Sequence, residues 1–167
     1  EAVIISAVRT PAGRANKGAY KDTRPEDLGA AAIIGAMSKV PGLKPADVED
    51  VILGCAMPEG TQGLNLARTV ALLAGLPNSV PGQTVNRFCS SGLQTIATAA
   101  ERIMAGGADI IIAGGVESMS RVPMFSNMAG GDGPFGPRMM SRYPDLVNQG
   151  ISAEMIADRW NLSRAML

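Results

Sequence analysis

The sequence predicts an α/β protein with a mostly parallel sheet. Short apolar runs of strand length alternate with longer stretches in which apolar residues recur at helical spacing. The order of these segments, βαβαβαβ, implies right-handed crossovers between parallel strands. The chain has 20 glycines and only 4% aromatic residues, and small residues allow helices to lie close to a sheet.

The first predicted strand covers residues 2–8, a β-branched run that ends in the polar loop 9–20. Thr23 and Glu26 fit a capping box for the first helix, which we expect to stop before Pro41. This strand and helix open the alternating pattern.

The rest of the pattern follows the same alternation. A strand that is almost continuously apolar is expected to be covered on both faces of the sheet, and the run DIIIAG has that character. Gly and Pro mark the ends of the helices. The predicted elements are strands at 51–56, 83–88 and 109–114 and helices at 65–74 and 93–104.

The character of the sequence changes after the last predicted strand. Residues 118–150 are rich in Met, Pro and Gly and show little periodicity. A loop of this length is usually functional, disordered or the beginning of an inserted region. Residues 151–160 predict a helix with Ser152 as a possible cap. We therefore divide the chain into a core, residues 1–117, and the beginning of a loop region, residues 118–167.

Composition excludes several classes of protein. Lys plus Arg and Asp plus Glu both number 15, which does not predict a nucleic-acid partner. No apolar run approaches the length of a membrane span, so we expect no membrane association. Two cysteines in 167 residues indicate a reducing, cytoplasmic compartment, and with no histidine they predict no metal site.

Cys89 is the residue most able to carry chemistry. It lies where a predicted strand gives way to a helix, and the backbone N–H groups at a helix N-terminus favour an anionic sulfur. The alternative, a small buried hydrophobic residue, is equally compatible with this position alone. Ser90, Ser91 and Gly92 favour the chemical interpretation, because their amides could bind a carbonyl oxygen brought close to the sulfur.

The predicted site is incomplete. Acyl transfer through a thioester needs a group that accepts and returns protons, and the chain contains no histidine. Cys55 lies inside a predicted strand, where packing is the simpler role. Glu117 follows the last predicted strand, at the sheet edge where ligands bind in parallel sheets, and we expect a structural or site-lining role for it. Met119 and Arg138 are candidate contacts, because methionines adapt to apolar groups and arginines suit phosphates.

Four segments together resemble the thiolases, the acyl-CoA acetyltransferases that include the 3-ketoacyl-CoA thiolases. The resemblance covers nearly the whole chain. The segments are RTPAGR at 9–14, VNRFCSSGLQ at 85–94, AGGVESMS at 113–120 and GISAE at 150–154.

The resemblance implies a layered thiolase-like α/β half with the start of an inserted loop region that binds coenzyme A. It implies that Cys89 accepts an acyl group from a coenzyme A thioester and that its own backbone N–H stabilises the oxyanion. The family's catalytic histidine and second cysteine lie in a second half, and their motifs do not occur here. A homodimer or homotetramer is expected, with coenzyme A thioesters as substrates and no permanently bound cofactor.

At one segment the sequence departs from the family's pattern, which limits what the resemblance implies about the substrate. Before GISAE, many family members have Met, often preceded by His, whereas this chain has Asn148 and Gln149. Because this position borders the ligand pocket in relatives, Gln149 is a candidate substrate contact, but the acyl-chain preference does not follow. Two alternatives stay open: a non-catalytic chain that binds coenzyme A thioesters or pairs with other subunits, and a condensing enzyme of fatty-acid or polyketide synthesis. The intact AGGVESMS segment argues against the latter.

Overall fold

The computed structural model describes residues 1–128 and 130–167. These residues form two compact units, Glu1–Asn127 and Met128–Leu167. The first unit contains the sheet, and the second is helical in its regular parts. None of the helices in the described ranges combines the length and apolarity needed to cross a bilayer.

The sheet of the first unit has three parallel strands in the order β2-β1-β3. They are β1 (Asp50–Gly54), β2 (Gly82–Val85) and β3 (Ile111–Gly115). β1 is central, and all five of its residues are buried. The parallel α/β fold predicted from the sequence is therefore confirmed.

Helices cover both faces of this sheet, as they must when parallel strands are joined by crossovers. The first unit contains α1 (Pro25–Ser38), α2 (Leu66–Leu73) and α3 (Ser91–Met104). Val51, Leu53 and Cys55 share one apolar core with residues of α1 and α2. The intervening residues of β1 face α3, where the buried carboxylate of Asp50 pairs with Arg102.

The predicted strand at residues 2–8 is wrong for the described residues, because this segment has no regular secondary structure. Val3, Ile4 and Ile5 are exposed, and none of the three described strands pairs with the segment. Its polar contact is with α1, where the Ser6 hydroxyl donates to the Ala36 carbonyl at 2.9 Å. A β-branched pattern predicts the extended conformation, but a strand also needs a neighbour for its backbone groups.

The other predicted elements are present, with differences at their ends. The predicted Thr23–Glu26 capping box is wrong, because Arg24 is the N-cap of α1 and Glu26 pairs with its guanidinium instead. β2 ends at Val85, earlier than predicted, because the chain turns into a 3-10 helix at Phe88–Ser90.

In its described residues the second unit has two short α-helices, α4 (Pro137–Arg142) and α5 (Gln149–Arg159). The predicted Ser152 cap is wrong. Asn148 is the N-cap of α5, and its side-chain oxygen accepts from the Ile151 N–H at 3.0 Å. Ser152 lies inside the helix and donates its hydroxyl to the Asn148 carbonyl at 3.2 Å.

Candidate active site

Cys89 lies at the carboxyl end of the sheet, between β2 and α3. The chain leaves β2 at Val85, forms the single 3-10 turn Phe88–Ser90 and enters α3 at Ser91. Cys89 is exposed, whereas Cys55 is buried. The two thiols therefore differ in the property that a nucleophile needs most, which is access.

The turn that carries Cys89 begins with an unusual backbone conformation. Phe88 has φ +47°, in the left-handed region, and it is 61% exposed. Such a conformation costs a non-glycine residue about 1–2 kcal/mol, so neighbouring groups must hold it. The Asn86 side-chain oxygen accepts from the Phe88 N–H at 2.9 Å. The large exposed ring supplies little of the required support.

Ser91 supports the same turn from the other side. Its hydroxyl donates to the Phe88 carbonyl at 2.5 Å and accepts from the Arg87 N–H at 2.9 Å. Only 4% of Ser91 is exposed, although it follows directly on the exposed Cys89 and Ser90. One buried hydroxyl thus uses both its donor and an acceptor lone pair on the backbone of the nucleophile turn.

Gly54 allows Ser91 to be buried. A Cβ atom added at Gly54 would lie 2.6 Å from the Ser91 carbonyl carbon and 2.8 Å from the Gly92 nitrogen. Only glycine at the end of β1 lets the first turn of α3 come this close. Thr95 makes a further link between α3 and the sheet, because its buried hydroxyl lies 2.8 Å from the Gly114 carbonyl of β3.

A second polar cluster joins the loops that follow β1 and β3. The Glu117 carboxylate accepts from the Gln62 side-chain amide and from the Ala56 N–H, both at 2.7 Å. Gln62 is fully buried, and its amide also donates to the Met57 carbonyl at 2.7 Å. Its oxygen accepts from the Ser118 N–H. The predicted structural role of Glu117 thus has a physical basis, although the residue itself is exposed.

Cys55 lies under this cluster and is unsuited to chemistry. Burial, and next the negative charge of Glu117, raise the pKa of the Cys55 thiol from 9.0 to about 12. Its Sγ lies 3.9 Å from a Glu117 carboxylate oxygen, and its side chain belongs to the apolar core. These positions agree with the packing role predicted from the sequence.

The other predicted contacts fall in different parts of the chain. Met119 lies in the first unit and is 42% exposed. Arg138 and Gln149 lie in the second unit, in α4 and at the first position of α5. Their roles as substrate contacts stay predictions. Among the described residues, no cluster of three or more His, Cys, Asp or Glu side chains could hold a metal ion.

Sequence reasoning missed two supporting residues. The sequence pattern does not indicate Gln62, and at Ser91 it indicates a role for the backbone amide rather than for the hydroxyl. A partial signal exists for Ser91, because a glycine inside a strand pattern, here Gly54, marks a close backbone approach. No comparable signal precedes Gln62, whose partner Glu117 is 55 positions away.

Comparison with known proteins places this chain in a family. The thiolase N-terminal domain model matches residues 2–167. Over 164 residues the chain is 46% identical to a 3-ketoacyl-CoA thiolase of Bacillus subtilis and 42% identical to one of Serratia proteamaculans. Each match covers 98% of this chain and 41% of the relative.

A third relative, a 3-ketoacyl-CoA thiolase of Saccharophagus degradans, is 46% identical over 124 residues, which are 74% of this chain and 32% of that protein. The chain therefore spans about two fifths or less of the length of these relatives. Because the family model matches almost every residue, the chain belongs to the thiolase family, in its N-terminal domain.

Proposed function

We propose that this chain is the nucleophile-bearing N-terminal part of a 3-ketoacyl-CoA thiolase, an acyl-CoA C-acyltransferase. Membership of the thiolase family supports the acyltransferase class. The observation that carries the residue assignment is the contrast between the two thiols. Cys89 is exposed on a turn supported by a buried hydroxyl, whereas Cys55 is buried and protonated.

In the cleavage direction, the Cys89 thiol gives its proton to a base outside these 167 residues, and its sulfur attacks the 3-keto carbon of a 3-ketoacyl-CoA. The carbonyl π electrons move to the oxygen, and the Cys89 backbone N–H stabilises the resulting oxyanion. When the carbonyl re-forms, the bond between C2 and C3 breaks. The acyl group stays on Cys89 as a thioester, and the C2 carbanion takes a proton to give acetyl-CoA. The thiol of free coenzyme A then attacks the acyl-cysteine and releases a shortened acyl-CoA. In the condensation direction the same steps run in reverse.

The proton transfers need groups that this chain lacks. The carbanion must gain a proton, and the coenzyme A thiol must lose one, yet the 167 residues contain no histidine. We therefore propose that these residues by themselves do not turn over substrate. The same deficit favours a second candidate function for the isolated chain, as a non-catalytic module that binds coenzyme A thioesters or pairs with other subunits.

The remaining expectations are part of the same proposal. Met119, Arg138 and Gln149 contact the acyl-coenzyme A, with Arg138 near its phosphates. The complete protein is a homodimer or homotetramer that holds no permanent cofactor and no metal. The two unpaired cysteines support a cytoplasmic location.

The experiment that tests this proposal is thiolytic cleavage of acetoacetyl-CoA by the complete protein in the presence of free coenzyme A. Cys89→Ala should lower kcat by roughly 1,000-fold or more, because the covalent route is lost. The matched control is Cys55→Ala, which removes the other thiol and should retain turnover. Equal activity of wild type and Cys89→Ala would contradict the proposal, as would steady-state turnover by residues 1–167 alone.

A further inference from the structure

The proposed function assigns no role to the Ser91 side chain, although this side chain contacts the turn that carries Cys89. Its hydroxyl bonds to the carbonyl of Phe88, and that carbonyl belongs to the peptide unit whose N–H is that of Cys89. The described chain has no cis peptide bond, so this unit is trans. In a planar trans peptide the C=O and the N–H point in opposite directions. Whatever fixes the Phe88 carbonyl therefore also fixes the direction of the Cys89 N–H.

We propose that Ser91 is a positioning residue that sets the direction of the Cys89 backbone N–H, the oxyanion donor. The inference rests on the proposed function, in which this N–H stabilises the charge on the substrate oxygen. The hydroxyl draws the Phe88 carbonyl toward the buried base of α3, so the N–H of the same peptide points the other way. Without the hydroxyl, the Phe88 carbonyl keeps the bond from the Ser91 backbone N–H but loses its side-chain donor, so this peptide is held less firmly in one direction.

Two contacts of Ser91, and a comparison with Ser90, show that Ser91 is suited to this task. Its hydroxyl accepts from the Arg87 N–H at 2.9 Å, so it holds the peptide between Asn86 and Arg87 as well as the one between Phe88 and Cys89. Its side chain is buried beside Gly54, where the nearby strand limits its movement. Ser90 has a similar hydroxyl, but this one is exposed and donates to the Arg87 carbonyl at 2.9 Å, one peptide too early to orient the Cys89 N–H.

The test compares two reactions of the same sulfur. Acylation by acetoacetyl-CoA develops an oxyanion and needs the oriented N–H. Alkylation by iodoacetamide displaces iodide at a saturated carbon and develops no oxyanion. Loss of one oxyanion donor typically lowers a rate about 10²- to 10³-fold, and loss of its orientation alone should have a smaller effect. In the complete protein, Ser91→Ala should therefore lower the acylation rate constant of Cys89 about 10- to 100-fold and leave alkylation within about twofold.

A matched control uses a hydroxyl with the same local geometry. Ser38 donates to the carbonyl three residues back, that of Gly35, at 2.9 Å, as Ser91 does to Phe88. Ser38→Ala should leave both rates unchanged. If Ser91→Ala does not fold, the comparison is made in a Phe88→Asn background. Asparagine tolerates the left-handed region better than phenylalanine, but it does not replace the hydroxyl that holds the carbonyl.

A selective loss of acylation supports the proposal. Equal losses of both reactions would overturn it, because they would show a general disturbance of the turn, and unchanged rates would overturn it as well. The failure of the proposed function itself gives a different result. In that case the wild-type protein forms no acyl adduct on Cys89, whatever residue stands at position 91.

Discussion

The close approach of β1 to the nucleophile turn gives a quantitative prediction for Gly54→Ala. The added Cβ would lie 2.6 Å from the Ser91 carbonyl carbon, 2.7 Å from its Cβ and 2.8 Å from the Gly92 nitrogen. Ordinary van der Waals contact begins near 3.4 Å, so the nearest atoms must separate by about 0.8 Å. Two of these three atoms belong to the backbone, so no change of side-chain rotamer can relieve the clash.

Two opposing contributions determine the expected change in the free energy of unfolding of Gly54→Ala. Overpacking of this kind costs typically about 1–3 kcal/mol, and the backbone contacts at Gly54 favour the upper end of that range. The lower chain entropy of alanine in the unfolded state returns about 0.4–1 kcal/mol. We therefore expect Gly54→Ala to lower the free energy of unfolding by about 2 kcal/mol. At a denaturant slope of about 2 kcal/mol/M, the urea midpoint falls by about 1 M.

The assay is urea unfolding of the complete protein, followed by circular dichroism and by the acylation rate of Cys89 at zero urea. Gly35→Ala is the matched control. A Cβ there meets only Val8 Cγ2 at 3.7 Å, and the residue lies inside α1. This control should stabilise the protein by about 0.5–1 kcal/mol, as Gly→Ala does in helices. If Gly54→Ala unfolds at or above the wild-type midpoint, the close contact between β1 and α3 is not what supports the turn.

Two further predictions concern Cys55 and the hydrogen-bonded pair of Gln62 and Glu117. Because the pKa of the Cys55 thiol rises from 9.0 to about 12, only the unfolded state loses this proton between those values. Its contribution to stability is therefore complete below pH 9 and declines above it, by about 1.4 kcal/mol between pH 8 and pH 10. Cys55→Ala should remove that decline in urea titrations at the two pH values, and an unchanged decline would contradict the assignment. Gln62→Met should lower the free energy of unfolding by about 2–4 kcal/mol, because the Ser118 N–H, the Met57 carbonyl and one oxygen of the Glu117 carboxylate each lose the hydrogen bond to Gln62. The control Gln83→Met, on an exposed strand position, should have little effect, and equal losses in both variants would refute a special role for Gln62.

The parts of the fold predicted best are those marked by a local feature of the sequence. The spacing of apolar residues predicts α3, and a short apolar run predicts β1. The helical spacing marks one face of α3, whereas β1 is buried on both faces of the sheet. Residues 2–8 have the same β-branched composition, yet they form no strand among the described residues. A β-branched composition indicates that a segment prefers an extended backbone conformation. Strand pairing depends in addition on a neighbouring strand elsewhere in the chain.

The candidate site also contains residues that a local pattern predicts and residues that it does not. Cys89 could be predicted because the junction between a strand and a helix is a local feature of the sequence. The hydroxyl of Ser91 and the amide of Gln62 could not, because each acts through a hydrogen bond that needs the folded turn or a residue far along the chain. The N-capping residues of two helices were predicted wrongly for a related reason. Thr23, Ser152 and Asn148 are all acceptable capping residues, and only the final path of the chain selects Asn148.

The central claim is that Cys89, and no other side chain of these 167 residues, accepts the acyl group. Its most direct test is peptide mapping by mass spectrometry after the complete protein has been incubated briefly with acetyl-CoA and quenched in acid. We predict a mass increase of one acetyl group on the peptide that contains Cys89, and no such increase in Cys89→Ala. An acetyl group on the Cys55 peptide, or an adduct that persists in Cys89→Ala, would contradict it.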